Sequence, residues 1–182
     1  MTAGPATPAG GPASPEDQFA GLTFREAQPA DAAAIAGAID TWWPARHIVH
    51  GVCPQLLEHM GDTCLLVEKD GILLAFLVGY MSQRLPNAGY IHYAGVRPAY
   101  RGRGLGREMY RRFAELTRAH GRYCLVAETG LWNTASLAFH IRLGFTLEPG
   151  DIVVDGVPGR RDVIGVGCDY ATMILRLDEA AL

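Results

Sequence analysis

The sequence predicts a mixed α/β fold in which one central sheet carries helices on both faces. Three observations lead there. Strand-like runs crowd the first half around an Asp70-Gly71 turn, strands and helices alternate from Gly89 to Gly144, and two further strands follow. An order of strands followed by βαβαββ layers helices over a mixed sheet. At 182 residues the chain is one domain, long enough to bury a proper core.

Residues 1–15 hold four prolines, three glycines and four alanines. Such a composition cannot bury enough apolar surface to offset the entropy of ordering. The expectation is a flexible tail over 1–20 ahead of a single domain at 21–182. Thr23 to Ala27 reads as the first strand. Pro29-Ala30-Asp31 starts a helix that runs to about Asp40, with Asp31 as its N-cap. Residues 41–62, with two tryptophans and three histidines, include a short helix. Thr63–Lys69 and Ile72–Ser82 are apolar runs joined by Asp70-Gly71, a strong two-residue hairpin signal. Gly89 to Val96 continues the meander.

The next helix spans about Gly104 to His120. Leu105, Met109, Phe113 and Leu116 recur at helical spacing, and Gly121 suits the residue just past the end. Tyr123–Thr129 is a buried strand. Asn133 caps the last helix, which ends at Gly144 with Phe145 placed for a Schellman contact. Phe145–Val153 and Cys168–Leu177 are the last strands, separated by a polar loop of about fifteen residues. The loop from Pro149 to Gly167 holds Asp151, Asp155, Arg160, Arg161 and Asp162. It either closes over a bound molecule or lies open as surface.

Composition excludes several classes of function. A net charge of −3 offers no general attraction to nucleic acid or an anionic membrane. No apolar run reaches the ~18 residues of a membrane span, and no basic-then-apolar leader opens the chain. Four scattered cysteines, without metal-like spacing, read as core thiols of a reducing cytoplasm. No metal is expected, and His47-x-x-His50 has no partner ligands at suitable spacing.

The most informative segment is Arg101-Gly102-Arg103-Gly104-Leu105-Gly106, between the strand Tyr90–Val96 and an amphipathic helix. A glycine-rich turn into a helix N-terminus points backbone N–H groups and positive potential at a phosphate. It is not a P-loop, because the chain has no Gly-Lys-Ser/Thr. Nor is it the dinucleotide fingerprint, which would need glycine where Arg107 stands. What it fits is [QR]-x-x-G-x-[GA], with Arg101, Gly104 and Gly106 in the defined places. About thirty residues later comes Asn133-Thr134-Ala135-Ser136-Leu137-Ala138-Phe139-His140-Ile141-Arg142-Leu143-Gly144-Phe145. The two blocks resemble, in order, the acetyl-CoA-binding motif and the N-x-x-[SA]-x-x-[FL]-Y-x-x-L-G-F block of the GNAT superfamily of N-acetyltransferases. The resemblance covers roughly residues 22–147.

The resemblance implies a mostly antiparallel central sheet and acetyl-CoA as co-substrate. It implies acetyl transfer to a primary amine by direct attack in a ternary complex. The pyrophosphate would sit on Arg101, Gly102, Arg103, Gly104, Leu105, Gly106 and Arg107, with arginines reaching the 3′-phosphate. The preceding strand would splay from its neighbour and offer the backbone of Ala94, Gly95 and Val96 to pantetheine, with an N–H near Val96 as oxyanion donor. Gly95 can equally mark a bulge. Asn133 would bond the pantetheine arm as well as cap its helix.

His140 departs from the pattern, which has tyrosine as the acid for the leaving thiolate. A neutral imidazole N–H can donate a proton, so His140 is the acid candidate, against a packing role. For the base, Tyr90, His92, Ala94 and Val96 share one face by strand alternation. His92 is a candidate with Tyr90 in a water chain, and Glu128 is the alternative. Trp42, Trp43 and Tyr80, with His47 and His50, would line the acceptor pocket. The acceptor reads best as a small-molecule amine. A protein N-terminus or lysine, or a non-catalytic acyl-CoA sensor, are the other readings, and a homodimer stays open.

Overall fold

The computed structural model describes residues 18–43, 52–163, 165 and 167–178. Residues 1–17 of the expected tail, and His47 and His50, lie outside the described residues. Gln18 and Phe19, which composition places in the tail, lie against the domain. Gln18 Nε2 donates to the Arg103 carbonyl at 3.0 Å, and Phe19 meets Phe24 edge-on at 5.9 Å.

One seven-stranded sheet organises the chain: β1 (Thr23–Glu26), β2 (Leu65–Lys69), β3 (Ile72–Met81), β4 (Ala88–Val96), β5 (Cys124–Gly130), β6 (Thr146–Leu147) and β9 (Tyr170–Arg176). Its order is β1-β2-β3-β4-β5-β9-β6, and only the β4–β5 pair is parallel. α1 (Ala32–Trp42) and α2 (Pro54–Met60) pack on one face through Ile35, Ile39, Leu57, Leu66, Phe76 and Val78. α3 (Leu105–Ala119) and α4 (Thr134–Arg142) pack on the other through Met109, Phe113, Leu137, Leu77, Leu125 and Met173. The fold is therefore the mixed, mostly antiparallel α/β sheet expected, with helices on both faces. Among the described residues no helix is long and apolar enough to cross a membrane.

Local chemistry sets most boundaries. Asp70 and Gly71 take positive φ of 51° and 74°, the backbone of a type I′ turn that matches strand twist. α4 closes on a Schellman motif: Phe145 N–H donates to His140 O and Gly144 N–H to Ile141 O, both at 3.0 Å.

Three expectations change. Asp31 stands at the N-cap position of α1, as expected, but its side chain makes no capping bond to that helix. A 3₁₀ turn over Pro29–Asp31 precedes the helix, and the Asp31 carboxylate turns back to the Gln28 N–H and Arg25. The Arg25 guanidinium holds it below the usual carboxylate range. The strand expected over Phe145–Val153 divides, because β6 ends at Leu147. Residues 152–159 then form a separate hairpin, β7 (Ile152–Val154) and β8 (Val157–Gly159), across Asp155-Gly156. Those two residues repeat the positive-φ pair of Asp70-Gly71.

The third change is a bulge. Val78 pairs Tyr93 but Gly79 pairs Ile91, so His92 is an extra residue in β4. An extra residue reverses the alternation beyond it. Tyr90 consequently packs with Ala88 and Val126, opposite α3, whereas Ala94 and Val96 pack on the α3 face. The four residues expected on one face are split between two. Gly95 is not the bulge. A Cβ there would meet Phe76 Cζ at 2.7 Å and Trp43 Cζ2 at 3.2 Å, so glycine permits close packing.

Candidate active site

β4 and β5 pair only from Ala88↔Cys124 to Ile91↔Ala127. Beyond that point β5 pairs with β9 and β4 with β3, so the two strands part. Arg97 N–H donates to Leu74 O at 2.8 Å. Alternation along an antiparallel ladder then turns the backbone of Gly95 toward β3 and that of Ala94 and Val96 toward the gap. Val96 O accepts a hydrogen bond from Arg101 Nε at 3.0 Å, and Arg101 Nη2 donates to Trp42 O at 3.3 Å. Arg101 thus ties the end of β4 to the end of α1.

The loop to α3 has the conformation its glycines permit. Gly102 and Gly104 have φ of 74° and 80°. Gly104 is the N-cap of α3 and no side chain caps the helix, so its first N–H groups stand open. Leu105 is buried in the core and offers only its backbone. Gly106 lies close to α4, where a Cβ would be 3.3 Å from the Phe139 ring. Arg103 lies over the Tyr100 ring, and Arg107 is exposed. Asn133 Oδ1 accepts from the Ser136 N–H at 3.3 Å, and Asn133 Nδ2 donates to Thr129 Oγ1 at 2.9 Å. It therefore caps α4 and locks it to the end of β5.

On the face opposite α3, Glu128 gathers donors. Its Oε2 accepts from Tyr90 Oη at 3.1 Å, and its Oε1 accepts from Thr172 Oγ1 at 3.0 Å, with Arg160 Nη1 3.5 Å away. The register explains the cluster, since Glu128 is directly opposite Thr172 and Arg160 opposite Tyr170. Burial first, then the Glu128 charge, pushes the Tyr90 phenol far above its ordinary value, so it stays a donor. Tyr80 lies 5.3 Å from Tyr90 between ring centroids, and its phenol is raised by the same two causes. His92, on the bulge, lies with its ring tilted 4.1 Å from that of Tyr93 and 6.3 Å from that of Tyr90, between centroids. Trp43 is half-buried beside Gly95, but Trp42 is core, stacked on Phe76 at 5.5 Å.

His140 is arranged unlike a free acid. Its Nδ1 lies 2.8 Å from Ser136 O, which can only accept, so the proton is on Nδ1. Nε2 then accepts from Tyr110 Oη at 2.8 Å. The ring is 5% exposed among Tyr110, Phe139 and Phe145, and burial lowers its pKa and keeps it neutral. Neither nitrogen has an N–H left to give. Sequence reasoning had no signal for Tyr110 or Thr172 and named Arg160 only as part of a loop that closes over a bound molecule or lies open, because each joins the site through packing or register.

Residues 32–145 match the model of the acetyltransferase (GNAT) family. The L-methionine sulfoximine/L-methionine sulfone acetyltransferase of Salmonella typhimurium (strain LT2) is 27% identical over 183 residues, covering 88% of this chain and 97% of that protein. Ard1 from Thermoplasma volcanium superposes with a TM-score of 0.70 at 17% identity, covering 86% of this chain and 98% of that one. The yncA protein of Salmonella typhimurium, solved with its cofactor acetyl-CoA, does so with a TM-score of 0.64 at 24% identity, covering 89% and 97%. The family match spans well over half of the 182 residues and includes both motifs, and the chain belongs to the GNAT family of acetyltransferases.

Proposed function

We propose that the protein transfers an acetyl group from acetyl-CoA to the primary amine of a small molecule, by direct attack within a ternary complex. The observation that carries this is the parting of β4 from β5 beyond Ile91. It leaves the backbone of Ala94 and Val96 facing a gap, with the open N-terminus of α3 following β4 in the chain. These groups suit a phosphopantetheine donor. The loop over 101–107 would take the pyrophosphate through backbone N–H groups. Ala94 would pair with the amide arm, aided by Asn133 if its cap yields, while Val96, whose carbonyl Arg101 already engages, keeps its N–H for the thioester. When bound, acetyl-CoA supplies the activated acyl carbon and a thiolate leaving group. The Val96 N–H would donate to the thioester carbonyl oxygen. A small acceptor agrees with the Salmonella relative, whose named substrates are modified amino acids.

Glu128 is the base in this reading. An ionised carboxylate has about four lone-pair sites. Tyr90, Thr172 and Arg160 face three of those on Glu128, leaving one on Oε2 for an amine proton. His92, beside Tyr90, is the second candidate. The hydrogen bonds of His140 suit a positioning role that holds α4 against α3, with the departing thiolate taking its proton from water. His140→Phe is accordingly expected to leave kcat within a few fold. It should destabilise the fold by about 1–3 kcal/mol, because the buried Tyr110 hydroxyl loses its acceptor. Urea unfolding and steady-state rates check both halves, and a loss of 100-fold or more in kcat would return the acid role to His140.

The reading as a whole is tested by a screen of small amines, amino acids and peptides for release of free CoA. Acetylation of peptides alone would move the acceptor class to protein, and acetyl-CoA binding without any turnover would make the protein a sensor.

A further inference from the structure

Arg160 has no part in the chemistry above, yet it is aimed at its centre. Its backbone is fixed to β9, donating to Tyr170 O at 2.8 Å and accepting from Tyr170 N–H at 3.0 Å. Its side chain crosses from the hairpin side to within 3.5 Å of Glu128, the two side chains being 56% and 19% exposed. Among the described residues the guanidinium makes no hydrogen bond, and this ion pair is its only charged contact. A pair so exposed contributes little to stability, and its separation exceeds the ~2.7–2.9 Å of a charge-assisted hydrogen bond. The fold does not need the arginine there. Its planar fork of donors remains available to a ligand, in the geometry that matches a carboxylate.

The geometry points to Arg160 as the residue that selects an acceptor bearing a carboxylate next to its amine, that is, an α-amino acid. This assignment rests on Glu128 receiving the amine. An α-amino acid carries its ammonium and its carboxylate on the same carbon. The Glu128–Arg160 pair presents the opposite charges side by side, so the zwitterion meets a matched pair of poles. Without the arginine, a carboxylate entering here would face the charge of Glu128 unscreened. The surrounding phenols of Tyr80, Tyr90 and Tyr170 are all raised by burial and the charge of Glu128, stay neutral, and cannot take that role. When the acceptor carboxylate draws Arg160 away, Oε1 of Glu128 loses a competing contact at the moment the amine arrives.

The test uses the full chain, acetyl-CoA and a panel of L-amino acids, each matched with the amine that lacks its carboxylate. The wild type should favour the amino acid of each reactive pair. Arg160→Gln should reduce that preference about 10- to 100-fold, chiefly through KM, as expected for losing a hydrogen-bonded charge contact. Arg160→Lys, which keeps the charge without the fork, should recover part of it. Equal use of both members by the wild type, or an unchanged preference in Arg160→Gln, would overturn the assignment while leaving acetyl transfer intact. Failure to acetylate either member of any pair would overturn the small-amine reading, and this assignment with it.

Discussion

Glu128→Gln is expected to lower kcat by about 100- to 10,000-fold, the range for one well-placed general base. Acetyl-CoA affinity should change by no more than about threefold, because the carboxylate lies across the sheet from the helices that would hold the donor. The amide keeps an oxygen for Tyr90 or Thr172 but cannot take up a proton. A conformational effect can be separated from a chemical one by the choice of acceptor. An amine of low basicity, already unprotonated at the assay pH, has less need of the base and should lose much less rate. A uniform loss across amines of all basicities would mark Glu128 as a structural anchor for β9 and Tyr90. The base would then be sought at His92, which the bulge carries to the same cluster as Tyr90.

The parts of this site that sequence foretold are those built from neighbours along the chain. Gly102 and Gly104 signal a turn because positive φ is a property of the residue itself. Asn133, Gly144 and Phe145 mark the ends of α4 because caps are local hydrogen bonds. The Glu128 cluster is different. It joins Tyr90, Arg160 and Thr172, which are 38, 32 and 44 residues distant, through strand register that no short motif encodes. The bulge at His92 was equally silent, because strand alternation gives no sign of an inserted residue until the partner strand is known. That single residue moved Tyr90 to the opposite face from Ala94 and Val96, and so separated the base candidates from the backbone facing the gap. The hairpin at Asp155-Gly156 has a turn signal without strand signals of ordinary length. It carries the same dipeptide as Asp70-Gly71, but the apolar residues beside it, Ile152-Val153-Val154 before and Val157 after, are cut short by Gly150, Pro158 and Gly159, whereas long apolar runs flank the first one. Spacing puts His140 on α4, seven residues after its cap Asn133. Its environment was not foreseeable, because Tyr110 reaches it from another helix, thirty residues earlier.

Gly104→Val should weaken acetyl-CoA binding about 100-fold or more, roughly the loss of two backbone hydrogen bonds to a charged group. Space is not the main obstacle: a Cβ at this position meets the end of the Gln18 side chain, at 3.0 Å from Nε2, and the Phe19 ring at an ordinary 3.9 Å. The obstacle is φ of 80°, which a β-branched residue resists strongly. Relieving that strain means re-aiming the peptide planes on either side. Those planes carry the N–H groups that open α3, so the helix end would no longer present them together. Part of the strain should also appear as lost stability, about 1–3 kcal/mol. Gly104→Asn separates the two effects, because asparagine tolerates the left-handed region. It should fold close to wild-type stability and keep most of the affinity. Calorimetric titration of acetyl-CoA into the three proteins decides the matter. If Gly104→Val loses stability while binding acetyl-CoA as tightly as the wild type, the N-terminus of α3 does not hold the pyrophosphate, and the donor must be sought elsewhere along the gap between β4 and β5.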